Sequence, residues 1–238
     1  MKLAASVALA GIGMLAGTAG RAEAAGKPVM AVIDFTNHTS AGWWYAGVGN
    51  ELADMLTNEL ASLDKFKMVE RKQLGAVLGE QDLALDGRVA KGSAAKAGKL
   101  TGAQYLVTGT VSAYEENTKG TGGGLRVKGI GLGGSKGEAY IAIDLRVIDS
   151  TTGEVFKTRT VEAHSSSKSI GVSLNKGSVG GNFGKMEKTP AGQAIRACLI
   201  EASEYLECVM VDKGGCEQEY AQKEKSRREK TKGKVKIQ

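Results

Sequence analysis

Apolar residues along this chain switch between strand spacing and helix spacing. Residues 29–35 (VMAVIDF) form a short run of β-branched and aromatic residues, which is typical of a buried strand. The next segment repeats apolar residues every three or four positions and predicts a helix with one core-facing stripe: Val48, Leu52, Met55, Leu56, Leu60 and Leu63. Strands are also predicted at 66–71 and 103–114, and helices at 71–81 and 93–100.

The second half of the chain continues this alternation of element types. Residues 138–149 alternate strictly, which places Ile141, Ile143, Leu145 and Val147 on one face of a strand. The turn residues STTGE then lead into a strand at 155–163. A long amphipathic helix follows, with Pro190 at its start and its inner side formed by Ala194, Ile195, Cys198, Ala202, Leu206 and Val209. Interleaved strands and helices predict a mixed α/β domain.

Two stretches rich in Gly and Ser, 117–138 and 163–188, interrupt this pattern. In the second stretch, apolar residues alternate with small or polar ones from residue 169 to residue 184, across an NKGS turn. A hairpin with one apolar and one small polar face is typical of a strand pair in a membrane barrel, although the signal is weak for each strand. A β-hairpin at the surface of the domain would show the same periodicity, so the pattern alone favours neither interpretation.

The N-terminal residues predict export. Lys2, an apolar run from Leu3 to Gly17 and an Ala22-Glu23-Ala24 cleavage site are typical of a signal peptide over residues 1–24. No cysteine stands near that site, so the sequence does not predict a lipid-modified N-terminus. We therefore expect an exported protein whose mature form begins at Ala25.

The positive charge of the chain lies at its C-terminus. Residues 221–238 contain eight Lys and Arg against two Glu, a balance of +6 that equals the net charge of the whole protein. Such a run is usually a solvated extension and less often a contact for anionic lipid or cell-wall polymer. We expect residues 213–238 to be a basic, flexible tail, and we expect no nucleic-acid partner outside the cytoplasm.

The three cysteines predict one disulfide bond in an oxidising compartment. Cys198 and Cys208 are ten residues apart on a predicted helix, about 15 Å, which is too far for a disulfide. Cys208 can reach Cys216 if Gly214 and Gly215 reverse the chain, which leaves Cys198 as a buried thiol.

No group of residues predicts catalysis, a metal site or a cofactor. The two histidines, His38 and His164, lie in unrelated settings, and residues 129–134 (GIGLGG) match a phosphate-binding motif without the strand and helix that such a motif needs. The sequence therefore favours a protein that is not an enzyme.

Several stretches of the chain resemble the family of curli secretion channels, the CsgG-like proteins. The resemblance runs from residue 29 (VMAVIDFTN) through LADMLTNELASLDKFKMVERKQLGAVLGEQ and LTGAQYLVTGTVSAYEENTKGTGGG. It continues through GIGLGG and YIAIDLRVIDSTTGEVF to TPAGQAIRACLIEASEYL. It thus covers nearly all of residues 25–212, and AIDLRVIDSTTGEV with the Gly-rich stretch before it is the most specific part.

The resemblance implies a periplasmic α/β domain with two extended β-hairpins, at about 117–140 and 163–188. In such channels, protomers arranged in a ring each contribute both hairpins to one β-barrel in the outer membrane. The lumen-facing residues would then be Ser169, Ser173, Asn175, Ser178 and Asn182. The lipid-facing residues would be Ile170, Val172, Leu174, Val179 and Phe183.

The resemblance also gives a meaning to residues 41–50 (AGWWYAGVGN), which hold both tryptophans of the chain. In these channels the loop between the first strand and the first helix forms a constriction of aromatic and amide side chains. Trp43, Trp44 and Tyr45 would occupy that position, although an indole pair departs from the mixed ring of the family. The alternative is that they cover the end of the core or contact a neighbouring subunit or partner.

Two functions are therefore expected. The first is a subunit of a homo-oligomeric outer-membrane channel that exports unfolded polypeptide with the help of periplasmic accessory proteins. The second is a soluble periplasmic module of the same fold that binds a component of the envelope. A membrane barrel would resist extraction by salt and carbonate, whereas a module held by charge would be released by salt.

Overall fold

A computed structural model describes residues 26–120, 125–127, 130–172 and 189–233 of the 238-residue chain. The strands are β1 (Val29–Val32), β2 (Thr36–Asn37), β3 (Lys67–Met68), β4 (Tyr105–Gly120), β5 (Leu125–Val127), β6 (Ile130–Asp149) and β7 (Val155–Val172). The helices are α1 (Val48–Ser62), α2 (Leu74–Leu85), α3 (Pro190–Glu207) and α4 (Gly215–Gly233). A π-helical turn, Cys208–Asp212, joins α3 to α4. The predicted signal peptide lies outside the described residues.

One mixed sheet organises the domain. The strands lie in the order β3, β1, β4, β6, β7; β2 also pairs with β4, and β5 pairs with the first residues of β6. The pairs of β1 with β3 and of β1 with β4 are parallel, whereas β4 with β6 and β6 with β7 are antiparallel. The mixed α/β fold expected from the sequence is confirmed.

The core lies between this sheet and the helices α1 and α3. The four residues predicted to share one face of β6, Ile141, Ile143, Leu145 and Val147, are all buried at 1% exposure or less. They meet Ile195 and Leu199 of α3, and the predicted stripe of α1 is buried beside them through Val48, Leu52, Leu56 and Leu60. Burying these side chains supplies most of the stabilisation of the domain.

Two glycines allow Phe35 to enter this core. A side chain at Gly49 would begin 2.2 Å from the Phe35 carbonyl oxygen, and one at Gly109 would begin 2.2 Å from the Phe35 ring. The loop after β1 therefore lies directly against both α1 and β4. These contacts fix the start of the segment that carries Trp43, Trp44 and Tyr45, here called the aromatic loop.

The predicted helix at 93–100 is wrong. This segment contains turns, and most of its residues are exposed. Its apolar residues are mainly alanines, and Leu100 remains 47% exposed, so no large side chain anchors a helix to the domain.

The predicted flexible tail is also wrong over most of its length, because residues Gly215–Gly233 form the helix α4. Tyr220 is buried in the core cluster. The sequence hides this contact because α4 has a single buried residue instead of a repeating apolar stripe. The folded domain therefore extends to Gly233 and does not end at residue 212.

Cys208 and Cys216 form a disulfide bond with a Cα–Cα distance of 5.9 Å, at the point where the chain turns from α3 into α4. Gly214 adopts a left-handed backbone conformation in this turn (φ 85°), as the sequence-based pairing required. Cys198 is free and buried. Among the described helices, none is long and apolar enough to cross a membrane.

Candidate functional site

Three strands continue past the core and form an extension of the sheet. Ser165 of β7 contacts the first turn of α3, where its hydroxyl donates to the side-chain oxygen of Gln193 at 2.8 Å. Beyond this level, β4 runs to Gly120, β6 begins at Ile130 and β7 runs to Val172, all in continuous antiparallel register. We call this part, residues 117–120, 125–127, 130–138 and 166–172, the extension.

The two faces of the sheet change character where the extension begins. Within the domain, the core face carries Ile141 and Val161, and the opposite face, here called the outer face, carries Asp144 and Thr160. Residues that alternate along a strand keep their face. By register, the core face therefore continues through small residues: Gly131, Gly133, Ser135 and Gly137 of β6, and Ser167, Ser169 and Gly171 of β7.

The apolar residues of the extension fall on the outer face. Ile170 and Val172 of β7 are in register with Gly134 and Leu132 of β6. β5 adds Leu125 opposite Leu132 and Val127 opposite Ile130. In the sequence, the apolar residues change from odd positions (Leu125, Val127) to even positions (Ile130, Leu132). The antiparallel pairing of β5 with β6 nevertheless brings all four residues to one face.

The register thus places Ser169 on one face and Ile170 and Val172 on the other. Seven other residues with a predicted lumen-facing or lipid-facing role lie outside the described residues: Ser173, Leu174, Asn175, Ser178, Val179, Asn182 and Phe183. For them the assignment stays a prediction.

The aromatic loop lies at the same end of the domain as the extension. The Trp43 and Trp44 rings are 5.7 Å apart between centroids, and Trp43 meets Tyr114 of β4 edge to face at 5.7 Å. Tyr114 is the cross-strand partner of Ile141, just before the extension. The loop therefore lies on the core face, at the base of the three strands.

Each aromatic residue of this loop has a distinct environment. Trp43, Trp44 and Tyr45 are all half-buried against the core. The Tyr45 hydroxyl donates to the Glu51 carboxylate at 2.8 Å, which ties the loop to the first turn of α1. The indole N–H of Trp43 is buried and has no acceptor among the described residues. Burial and the hydrogen bond to Glu116 raise the pKa of Tyr114.

A cation clamp that the sequence did not predict holds α4 to β7. The Arg159 guanidinium carbon lies 5.2 Å from the Tyr205 ring centroid and 4.6 Å from that of Tyr220. Two turns further along α4, Arg227 donates two hydrogen bonds of 2.8 Å to Glu224 and lies 3.4 Å from Glu162. These contacts lower the pKa of Glu224 to about 2, mainly through the hydrogen bonds from Arg227.

Polar residues line the outer face between α4 and the extension. The Tyr140 ring lies 4.6 Å from that of His164, and burial, followed by the Glu162 carboxylate, raises the pKa of Tyr140 to about 12. Within the described part of the chain, no three His, Cys, Asp or Glu side chains are grouped so that they could hold a metal ion.

Comparison with known proteins identifies the family. The sequence pattern of the family described as "Curli production assembly/transport component CsgG" matches residues 14–235. This chain belongs to the CsgG family. The CsgG family is a family of transport components and not a family of enzymes.

Curated CsgG relatives match a shorter part of the chain. The CsgG proteins of Salmonella typhimurium and of Escherichia coli strain K12 are each 32% identical over 108 residues. That segment is 44% of this chain and 39% of each relative, so the match spans about two fifths of the length of these CsgG proteins.

Among solved structures, the hypothetical protein CT253 from Chlamydia trachomatis superimposes with a TM-score of 0.39 at 16% identity. The match covers 76% of this chain and 98% of CT253.

Proposed function

We propose that this chain is a subunit of a homo-oligomeric channel in the outer membrane that lets unfolded polypeptide leave the periplasm without catalysis. The observation that carries this proposal is the separation of residue types in the extension. In the distal part of the extension, apolar residues share the outer face, and small residues together with Arg126 share the core face, as lipid-facing and lumen-facing positions do in a membrane barrel. Family membership supports the same function.

The free edge of β4 supports assembly into a ring. Past Val111, the side of β4 that faces away from β6 pairs with no strand among the described residues. A strand edge in a membrane must find hydrogen-bond partners, because lipid offers none. A neighbouring copy would supply the missing strand, so that several protomers together close one barrel. The exported polypeptide and periplasmic accessory proteins would be the other partners.

The aromatic loop is part of the proposal. It lies on the core face at the base of the extension, which is the side that would continue into the lumen. In this proposal, Trp43, Trp44 and Tyr45 form the constriction that an entering chain passes. Trp43 also packs on Tyr114, so Trp44→Ala is the cleaner test: it should widen the passage and raise the conductance of the channel in a planar bilayer.

The helix α4 supports the second function. In a soluble periplasmic module of the same fold, this basic helix would bind an anionic component of the envelope. Salt would then release the protein from envelope preparations, because exposed charges are screened at high ionic strength.

One experiment separates the two functions. The envelope of cells that produce the protein is extracted with high salt and with carbonate, and the detergent-purified protein is then viewed by electron microscopy. Resistance to both treatments and ring-shaped particles support the channel. Release by salt as a monomer or small oligomer contradicts it.

A matched pair of variants sharpens this experiment. Val172→Arg puts a charge on the apolar face and should block membrane assembly, since arginine on a lipid-facing position costs about 2–4 kcal/mol near the middle of the bilayer. Ser169→Arg makes the same charge change on the opposite face and should assemble. Equal assembly of both variants would refute the assignment of faces.

A further inference from the structure

Three lysines occupy one row across the extension. Lys119 of β4 is in register with Lys136 of β6, and Lys136 is in register with Lys168 of β7. All three belong to the outer face by alternation. Like charges directly opposite each other destabilise a sheet, because paired Cβ atoms are only about 5 Å apart. A row of this kind points to an anionic ligand that neutralises it.

The acidic residues of the neighbouring strands lie on the domain side of this row. On the same face, Glu138 of β6 is two residues closer to the domain and Glu115 of β4 is four residues closer, so the row itself consists of three cations. On the distal side, Gly134 pairs with Ile170 and Leu132 pairs with Val172. Within the extension, the row therefore marks the boundary between the polar part of the outer face next to the domain and the apolar part further out.

The helix α4 carries further lysines toward the same boundary. It runs beside β7 in the same direction, as three contacts show: Lys157 with Glu217, Arg159 with Tyr220, and Glu162 with Arg227. The segments of β7 and α4 between the first and the last of these contacts match in length. Five strand residues rise about 16 Å, and ten helical residues rise about 15 Å.

The last turn of α4 then lies level with the end of the domain. Lys230 and Thr231 line a cleft with Tyr140 and His164, at the level where the core ends. Lys230 is exposed and forms no ion pair with any described acidic residue. The outer face thus gathers four lysines at or just before the start of its apolar segment: Lys119, Lys136, Lys168 and Lys230.

We propose that Lys119, Lys136 and Lys168, flanked by Lys230, form a cationic band that binds the phosphate groups of anionic phospholipids at the membrane surface. A lipid fits both parts of the surface, because its phosphate meets the lysines while its acyl chains meet Leu132, Ile170 and Val172. A soluble anionic polymer would leave those apolar residues in water. The proposal rests on the proposed function, in which the extension enters the membrane.

The test compares the full-length protein with two triple variants. The first, Lys119→Gln/Lys136→Gln/Lys168→Gln, removes the charge of the row. The second, Lys91→Gln/Lys96→Gln/Lys99→Gln, removes the same charge from exposed lysines in the segment between α2 and β4. Binding is measured by flotation with phosphatidylcholine vesicles, with and without phosphatidylglycerol, at low and high salt.

Each lysine at an anionic surface contributes a roughly five-fold gain in binding, so the row variant should bind phosphatidylglycerol vesicles roughly a hundred-fold more weakly than the unmodified protein. The variant of the other three lysines should bind like the unmodified protein. A triple Lys→Arg variant of the row should also retain binding, which would separate the effect of charge from an effect on folding.

Three results would overturn the proposal: no preference for phosphatidylglycerol, equal loss in both Gln variants, or binding to purified cell-wall sacculi in place of vesicles. Carbonate extraction of the same vesicles reports on membrane insertion separately. Insertion that persists while the lipid preference is absent contradicts the cationic band and leaves the channel intact. A lysine-dependent preference without carbonate-resistant insertion supports the band and contradicts the channel.

Discussion

Arg159 of β7 and Tyr220 of α4 hold each other through two separate contacts. The guanidinium carbon lies 4.6 Å from the Tyr220 ring centroid, and Nη1 donates to the Tyr220 carbonyl oxygen at 3.1 Å. The Arg159 side chain is only 9% exposed, although it carries a charge. This pair is the main reason why a helix of mostly charged residues is folded against the domain.

Replacing Arg159 with alanine should therefore destabilise the protein and release α4. We expect Arg159→Ala to lower the free energy of unfolding by about 3 kcal/mol, since a buried cation and its ring contacts are lost together. Urea denaturation followed by circular dichroism measures this change. Arg146→Ala, at an exposed position on the neighbouring strand, is the control and should shift stability by less than about 0.5 kcal/mol. Equal effects of the two variants would show that the clamp contributes nothing.

The disulfide bond between Cys208 and Cys216 should stabilise the same region from the other side. It closes a loop with a sequence separation of 8, which corresponds to about 2.5 kcal/mol in the chain-entropy account. Dithiothreitol should therefore lower the Tm of the unmodified protein. The double variant Cys208→Ala/Cys216→Ala should begin with the lower Tm and not respond to the reductant. A reductant effect of the same size in both proteins would contradict this explanation.

Acid should weaken the attachment of α4 through Glu224. Because the hydrogen bonds from Arg227 lower the folded-state pKa of Glu224 from 4.5 to about 2, the carboxylate stabilises the folded protein above pH 4.5. That contribution is lost as the pH falls from 4.5 to about 2. Glu224→Gln should therefore show a smaller loss of stability over this pH range than the unmodified protein. Parallel pH profiles from thermal unfolding of the two proteins would contradict this prediction.

Two glycines in different helices should respond to alanine in opposite directions. At Gly49 of α1 a Cβ atom would lie 2.2 Å from the Phe35 carbonyl oxygen, so Gly49→Ala should cost about 1–3 kcal/mol. At Gly79 of α2 nothing lies within 4 Å, and Gly79→Ala should gain up to about 1 kcal/mol of helix stability. Chemical denaturation of both variants measures the difference. A stabilising effect at Gly49 would show that the loop after β1 does not pack on α1 as described.

The sequence predicts the core well where one side of an element repeats apolar residues. The alternation of Ile141 to Val147 and the stripe from Val48 to Leu60 each have a single consistent period, and all of these residues that face inward are buried. The helix α4 could not be predicted in this way. Its attachment depends on one aromatic residue, Tyr220, and on a cation from a strand more than fifty residues away.

Prediction from the sequence is limited in the same way for the extension. Alternation marks Ile170 and Val172 as one face of a strand, and the pairing of β7 with β6 then gives Leu132 and Gly134 as their neighbours. The row of Lys119, Lys136 and Lys168 is invisible in the sequence, because register between strands is set by the folded sheet. The sequence therefore predicts the faces of one strand, whereas the combined surface needs the structure.

The most direct test of the proposed channel is the accessibility of single cysteines along β7 in native membranes. The background is low, because Cys198 is 1% exposed with its pKa raised to about 12 by burial, and the other two cysteines form the disulfide bond. Cysteines are introduced separately at Ser169, Ile170, Gly171 and Val172, and the rate of labelling by a membrane-impermeant, water-soluble maleimide is measured.

The channel predicts labelling that alternates from residue to residue. Ser169→Cys and Gly171→Cys should react quickly in intact membranes, whereas Ile170→Cys and Val172→Cys should react only after detergent dissolves the bilayer. Equally fast labelling of all four variants in intact membranes would contradict the account, because it would place both faces of the extension in water.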